Sequence, residues 1–139
     1  MVRCGLLTLC VMSLSLTGCG TKEVTTPNTY PVTGKVLVGG APLDGGRITF
    51  KMSDAGMQTN EGYAELEKDG TFKASMNGGS GLMPGNYTVT ISPLSLKTAD
   101  QKKVNASKIP KKYQDDNTTP WKITVEAKDT TLEPYTIQS

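Results

Sequence analysis

The sequence predicts an all-β chain folded as an antiparallel sandwich of about seven short strands. Three observations carry that expectation. From residue 30 onward, apolar side chains recur at every second position in short runs. Clusters of Gly, Pro and Asp separate those runs. No stretch carries a convincing amphipathic helical period.

Taken in order, the first run places Val32, Gly34, Val36 and Val38 on one face and Thr33 and Lys35 on the other. Gly39-Gly40 and Asp44-Gly45-Gly46 punctuate it. Ile48, Phe50 and Met52 then alternate with Arg47, Thr49 and Lys51, and Ala64 and Leu66 with Tyr63, Glu65 and Glu67. Asp69-Gly70 predicts a tight hairpin into Phe72, Ala74 and Met76, because Gly accepts positive φ and Asp tolerates it. After the glycines of 78–81, Pro84-Gly85 predicts the centre of a type II turn. Tyr87, Val89 and Ile91 come next, against Thr88, Thr90 and Ser92. Ile123, Val125 and Ala127, then Tyr135 and Ile137, supply the last apolar faces. Pro134 cannot donate to a ladder, so the final strand should begin there or lie at an edge. Phe50, Phe72, Tyr87, Val89 and Ile91 are expected to share one core between two sheets. Leu94 to Pro120 fits no strand period, and a loop of that length is either functional or mobile.

Ahead of the sandwich, Met1-Val2-Arg3 gives a short basic start, and Gly5 to Leu16 holds no charged residue. That run falls short of the roughly 20 apolar residues a spanning helix needs, and suits the h-region of a secretory signal. It ends in Leu16-Thr17-Gly18-Cys19, which resembles the lipobox of bacterial lipoproteins. The resemblance implies cleavage before Cys19, diacylglycerol on its thiol and acylation of the new amino terminus. Ordinary cleavage, leaving Cys19 a bystander, is the alternative. Two or three acyl chains hold a protein lastingly where one does not, at about 0.8 kcal/mol per buried CH₂. Gly20 rather than Asp after the cysteine favours outward sorting. The expected organisation is a signal peptide over 1–18, a lipidated cysteine with a polar tether over 19–29, and a sandwich domain over 30–139.

Composition narrows the chemistry. The 139 residues carry 15 Lys and Arg against 13 Asp and Glu, a net charge of +2. So small a charge implies no nucleic-acid partner. Histidine is absent, which removes the commonest general base and the usual zinc ligand. Cys4 and Cys10 leave with the signal peptide, and Cys19 is taken by lipid. The mature chain then has no disulfide and no thiolate, and no cofactor is expected. Only carboxylate oxygens remain for a metal.

TGKVLVGGAPLDGGRITF, residues 33–50, is similar to the opening of carboxypeptidase regulatory-like domains, which resemble transthyretin in fold. In those, a V-x-G-x-V strand passes through G-x-P-L-x-G into the next strand. Asp69-Gly70-Thr71-Phe72 resembles their D-G-x-F hairpin, and Leu82 to Val89 their L-x-P-G-x-Y-x-V strand entry. The resemblance covers Val32 to Ile91 well and Trp121 to Ile137 loosely. It implies the fold and leaves function open, since such domains serve as stalks, accessory modules and carriers.

Candidate sites are few. Transthyretin-like hydroxyisourate hydrolases use histidines and a C-terminal Tyr-Arg-Gly-Ser, and this chain has no histidine and ends in TIQS. Glu65 with Glu67, Asp115 with Asp116, and Asp129 are the carboxylates available for acid–base work, with no nucleophile and orienting group beside them. Asp115-Asp116-Asn117 supplies too few oxygens for calcium by itself, and a solvated turn is the simpler account. The main charge asymmetry is the lysine series Lys97, Lys102, Lys103, Lys108, Lys111 and Lys112. It is either a solvated loop or a surface for anionic headgroups and acidic polymer. Tyr113 and Trp121 flank it, as core plugs or as stacking surfaces for sugars or a partner. The expected function is a non-catalytic, lipid-anchored binding or structural module of a bacterial envelope, exported and held to a membrane by its lipid. Its partner would be an unidentified envelope protein or polymer. The alternative is a carbohydrate- or anionic-polymer-binding module whose contacts are Lys102, Lys103, Lys111, Lys112, Tyr113 and Trp121 in or beside the 94–120 loop.

Overall fold

Alternation along the chain builds two sheets whose apolar faces meet. The computed structural model describes residues 28–53, 60–93 and 108–138. Cys19, most of the tether, and Lys102 and Lys103 lie outside the described residues. The strands are β1 (Val32–Val38), β2 (Ala41–Pro42), β3 (Arg47–Met52), β4 (Glu61–Glu65), β5 (Thr71–Lys73) and β6 (Ser75–Met76). They continue with β7 (Gly79–Ser80), β8 (Gly85–Ser92), β9 (Lys122–Val125), β10 (Thr130–Thr131) and β11 (Tyr135–Ile137). A 3-10 turn at Lys111–Tyr113 lies between β8 and β9. Among the described residues, seven of these strands have three or more residues; the other four are two-residue ladders.

One sheet runs β7-β6-β4-β3-β8-β9, and every pairing in it is antiparallel. Its inward positions are Ile48 and Phe50, Ala64, Met76, Tyr87, Val89, Ile91 and Val125, all buried. The second sheet gathers β2, β5, β10 and β11 around β1. It contributes Val32, Val36, Phe72 and Ile137 to the same core. The expected inter-sheet core is therefore present, with Phe50 and Phe72 meeting across it at 5.9 Å between ring centroids.

Thr71 to Met76 is a corner. β5 pairs with β1, and β6 pairs with β4 in the other sheet. The expected turn stands in front of this corner: Glu67 N–H donates to Thr71 O at 2.8 Å, and Gly70 takes φ +76°. Asp69 Oδ1 accepts from both the backbone N–H and the hydroxyl of Thr71, at 3.0 and 2.6 Å. The expected hairpin ladder does not form: β4 before the turn belongs to the large sheet and β5 after it to the other, and the chain returns to the large sheet at β6.

One expectation is refined and three are corrected. The expected antiparallel sandwich is present, and within it β10 and β11 run parallel to β1. Parallel neighbours need a long crossover, and the whole intervening chain supplies it. Pro84-Gly85 does not make a type II turn. Gly85 takes φ +154°, far from the roughly +80° such a turn needs, and already pairs with Val125 as the first residue of β8. Ala127 is exposed, since β9 ends at Val125 and the chain turns where Lys128 N–H donates to Glu126 O. The 94–120 segment is not all open loop: Ile109 and Tyr113 are core residues.

Pro134 sits directly before β11, as expected, and marks a bulge. Thr33 pairs with Thr131 and Val36 with Tyr135, so three steps along β1 face four along the C-terminal segment.

Tyr87 closes the start of β8 by donating its hydroxyl to Met83 O at 2.8 Å, four residues upstream. Burial pushes its phenol up from 10.0 to about 12. The folded chain thus holds this proton where the unfolded chain has released it. Stability should fall as pH rises from about 10 to about 12. Alkaline unfolding monitored by circular dichroism checks this, and Tyr87→Phe should flatten that part of the curve.

Candidate functional site

The segment 108–121 is fastened to the large sheet at both ends. Ile109 and Tyr113 bury one side of the 3-10 turn, and Gln114 Nε2 donates back to Ile109 O at 2.8 Å. Thr119, buried, donates its hydroxyl to Val89 O at 2.8 Å and accepts from Trp121 N–H at 3.2 Å. Val89 N–H donates to Trp121 O, which starts the β8–β9 ladder. Between these anchors, Asp115 Oδ1 accepts from Asn117 N–H at 2.8 Å, so Asp115-Asp116-Asn117 forms an Asx turn. Asp116 pairs with Lys51 of β3 at 2.5 Å. The bond from the Lys51 ammonium holds the Asp116 carboxyl below the usual carboxylate range.

The structure does not leave the two expected aromatic contacts free. Tyr113 is only 4% exposed, and its ring lies 4.7 Å from that of Trp121. Trp121 in turn stacks on Tyr135 at 4.6 Å, and Tyr135 lies 6.4 Å from Phe72. Both rings therefore act as plugs, continuing the Phe50–Phe72 contact towards one end of the sandwich. Tyr135 buries its hydroxyl without a hydrogen-bond partner among the described residues, and burial pushes its phenol above the ordinary range. Lys111 and Lys112 are exposed, and the Lys112 ammonium lies 4.8 Å from the Tyr113 ring centroid.

A different aromatic reaches solvent. Tyr63 of β4 points outward, 43% exposed, between the outward Glu61 and Glu65. Its hydroxyl donates to Glu61 Oε2 at 2.6 Å, and that bond holds the phenol above its ordinary range. Glu61 lies two residues back on the same face, so the bond draws the Tyr63 hydroxyl along the strand while the side chain stays exposed. Arg47 pairs with Glu65 at 3.2 Å beside it. In register across the sheet, Ser75, Tyr63, Thr49 and Thr90 form one outward row. Period two alone puts Tyr63 on the outer face and gives it no role there. The signal that could have found it is an aromatic at an outward position between two acids.

Among the described residues, no three or more His, Cys, Asp or Glu gather as a metal would require.

No family model matches the chain, and no curated protein matches it. Among solved structures, a 9R-lipoxygenase from Cyanothece PCC8801 aligns at a TM-score of 0.41 and 12% identity. The alignment covers 84% of this chain and 18% of that enzyme. A likeness at that level carries no argument about activity.

Proposed function

We propose that the chain is an exported, lipid-anchored module of a bacterial envelope that binds or braces another envelope component without catalysing a reaction. The observation that carries this reading is Leu16-Thr17-Gly18-Cys19 at the end of an uncharged apolar run. The fold lends support at the junction with the tether. Thr29 donates its hydroxyl to Ser80 O at 2.8 Å and Tyr30 exchanges backbone hydrogen bonds with Leu82, at 2.8 and 2.9 Å, so the sandwich takes hold of the chain at residues 29 and 30. The carboxypeptidase regulatory-like reading draws support from where its motifs fall: on β1 to β3, on the turn into β5, and on the entry to β8.

Replacing Cys19 tests the anchor. Cys19→Ser should move the protein out of the membrane fraction or leave the uncleaved precursor in it. A variant that matures and fractionates as the parent does would overturn the reading.

A further inference from the structure

The outer surface of the sandwich carries a groove made of two adjoining concavities. A cleft of about 990 Å³ lies over β1 and β5, with Thr33 to Lys35 and Thr71 to Lys73 as its floor. Glu65 and Glu67 wall one side, and the bulged segment Thr131 to Pro134 the other. A second concavity of about 290 Å³ surrounds Tyr63 on the large sheet. The two share Glu65 and Lys73 in their linings, so they adjoin across these two side chains beside the corner that ends β5.

We infer that this groove binds an extended, uncharged oligosaccharide, with Tyr63 as the stacking surface for one sugar ring. The inference rests on the binding-module reading, and not on the lipid anchor. Three properties select the ligand. Tyr63 is an exposed aromatic tethered through its hydroxyl to Glu61, so its side chain has less freedom to lose when a sugar packs on it. Hydroxyl and charged groups accompany it, in the outward row of Ser75, Thr49 and Thr90 and in the Arg47–Glu65 pair. Such groups both donate to and accept from sugar hydroxyls.

Charge makes the third argument. The lining residues Arg47, Lys35 and Lys73 are opposed by Glu65, Glu67 and Glu133, three cations against three carboxylates, and Glu61 beside Tyr63 adds a fourth carboxylate. An acidic polymer would meet at least as much repulsion as attraction there. The concavity at Tyr63 adjoins the cleft, which suits a chain longer than one sugar.

Calorimetric titration of the full-length protein tests this. The probes are neutral hexasaccharides of β-1,4-glucan, α-1,4-glucan, β-1,4-xylan and chitin, with polygalacturonate and a polar decapeptide as the competing classes. At least one neutral hexasaccharide should bind, with an affinity that changes less than about twofold between about 0.05 and 0.5 M salt. Tyr63→Ala should weaken that binding about tenfold or more, while Tyr63→Phe, which keeps the ring, stays within about threefold. Lys73→Ala, at the junction of the two concavities, should weaken it with the unfolding midpoint unchanged. Binding by polygalacturonate or the decapeptide alone, no binding by any neutral probe, or wild-type affinity in Tyr63→Ala would each overturn the inference. Tyr63→Ala should still fractionate with membranes as the parent does, so loss of glycan binding and loss of the anchor read out separately.

Discussion

Phe72→Ala is expected to lower the free energy of unfolding by about 3–5 kcal/mol. Phe72 is 1% exposed and belongs to β5, the segment that ties β1 to the large sheet through the corner at Ala74. Its ring lies against Phe50 across the core and faces Tyr135. It also covers Gly34, its partner in β1: a Cβ on Gly34 would come within 2.6 Å of the ring. Gly34 therefore has no side chain with which to fill the space that truncation leaves, and the cost should lie towards the upper end of that range. A urea unfolding midpoint measures it, with Phe72→Leu falling between the alanine variant and the parent. A midpoint unchanged in Phe72→Ala would mean that β5 does not face the core.

Gly81→Ala should cost roughly 2–6 kcal/mol, from about 1–3 of backbone strain and about 0.5–1.5 for each of two broken hydrogen bonds. Gly81 has φ +94°, and a Cβ there would stand 2.0 Å from the carbonyl oxygen of Tyr30. The obstacle is backbone, so the Tyr30–Leu82 pair must open to admit it. Gly78→Ala is the control. It too has positive φ, at +78°, but nothing lies within 4 Å of a Cβ there. It should cost only strain, about 1–2 kcal/mol. Equal effects at the two positions would show that the close approach at Tyr30 contributes nothing.

The main strands were legible because burial on one face forces a period of two, and that period survives in Ile48-Phe50, Ala64-Leu66 and Tyr87-Val89-Ile91. Turn chemistry was legible where geometry demands particular residues. Gly39 and Gly40 at φ +57° and +86° join β1 to β2, and Asn77 and Gly78 at +51° and +78° join β6 to β7. Direction was not legible, because alternation reads the same whether β11 runs with β1 or against it. Ala127 misled because a small residue at the right parity carries no information once the strand has ended at Val125.

Tyr113 and Trp121 show the limit for sites. Proximity to lysines in the sequence leaves the two rings as core plugs or as a stacking surface, and Thr119 and Ile109 fold that segment down and turn both rings to packing. The exposed aromatic, Tyr63, sits among acids that looked like an ordinary solvated face. Only the strand register reveals that Arg47, Thr49 and Ser75 surround it.

The most direct test of the lipid-anchored module is the mass of the N-terminal peptide of the protein recovered from membranes. The account predicts a chain that begins at Cys19, lacks residues 1–18, and carries diacylglycerol on the Cys19 sulfur. A free thiol at Cys19, or a mature terminus at any other residue, would contradict it.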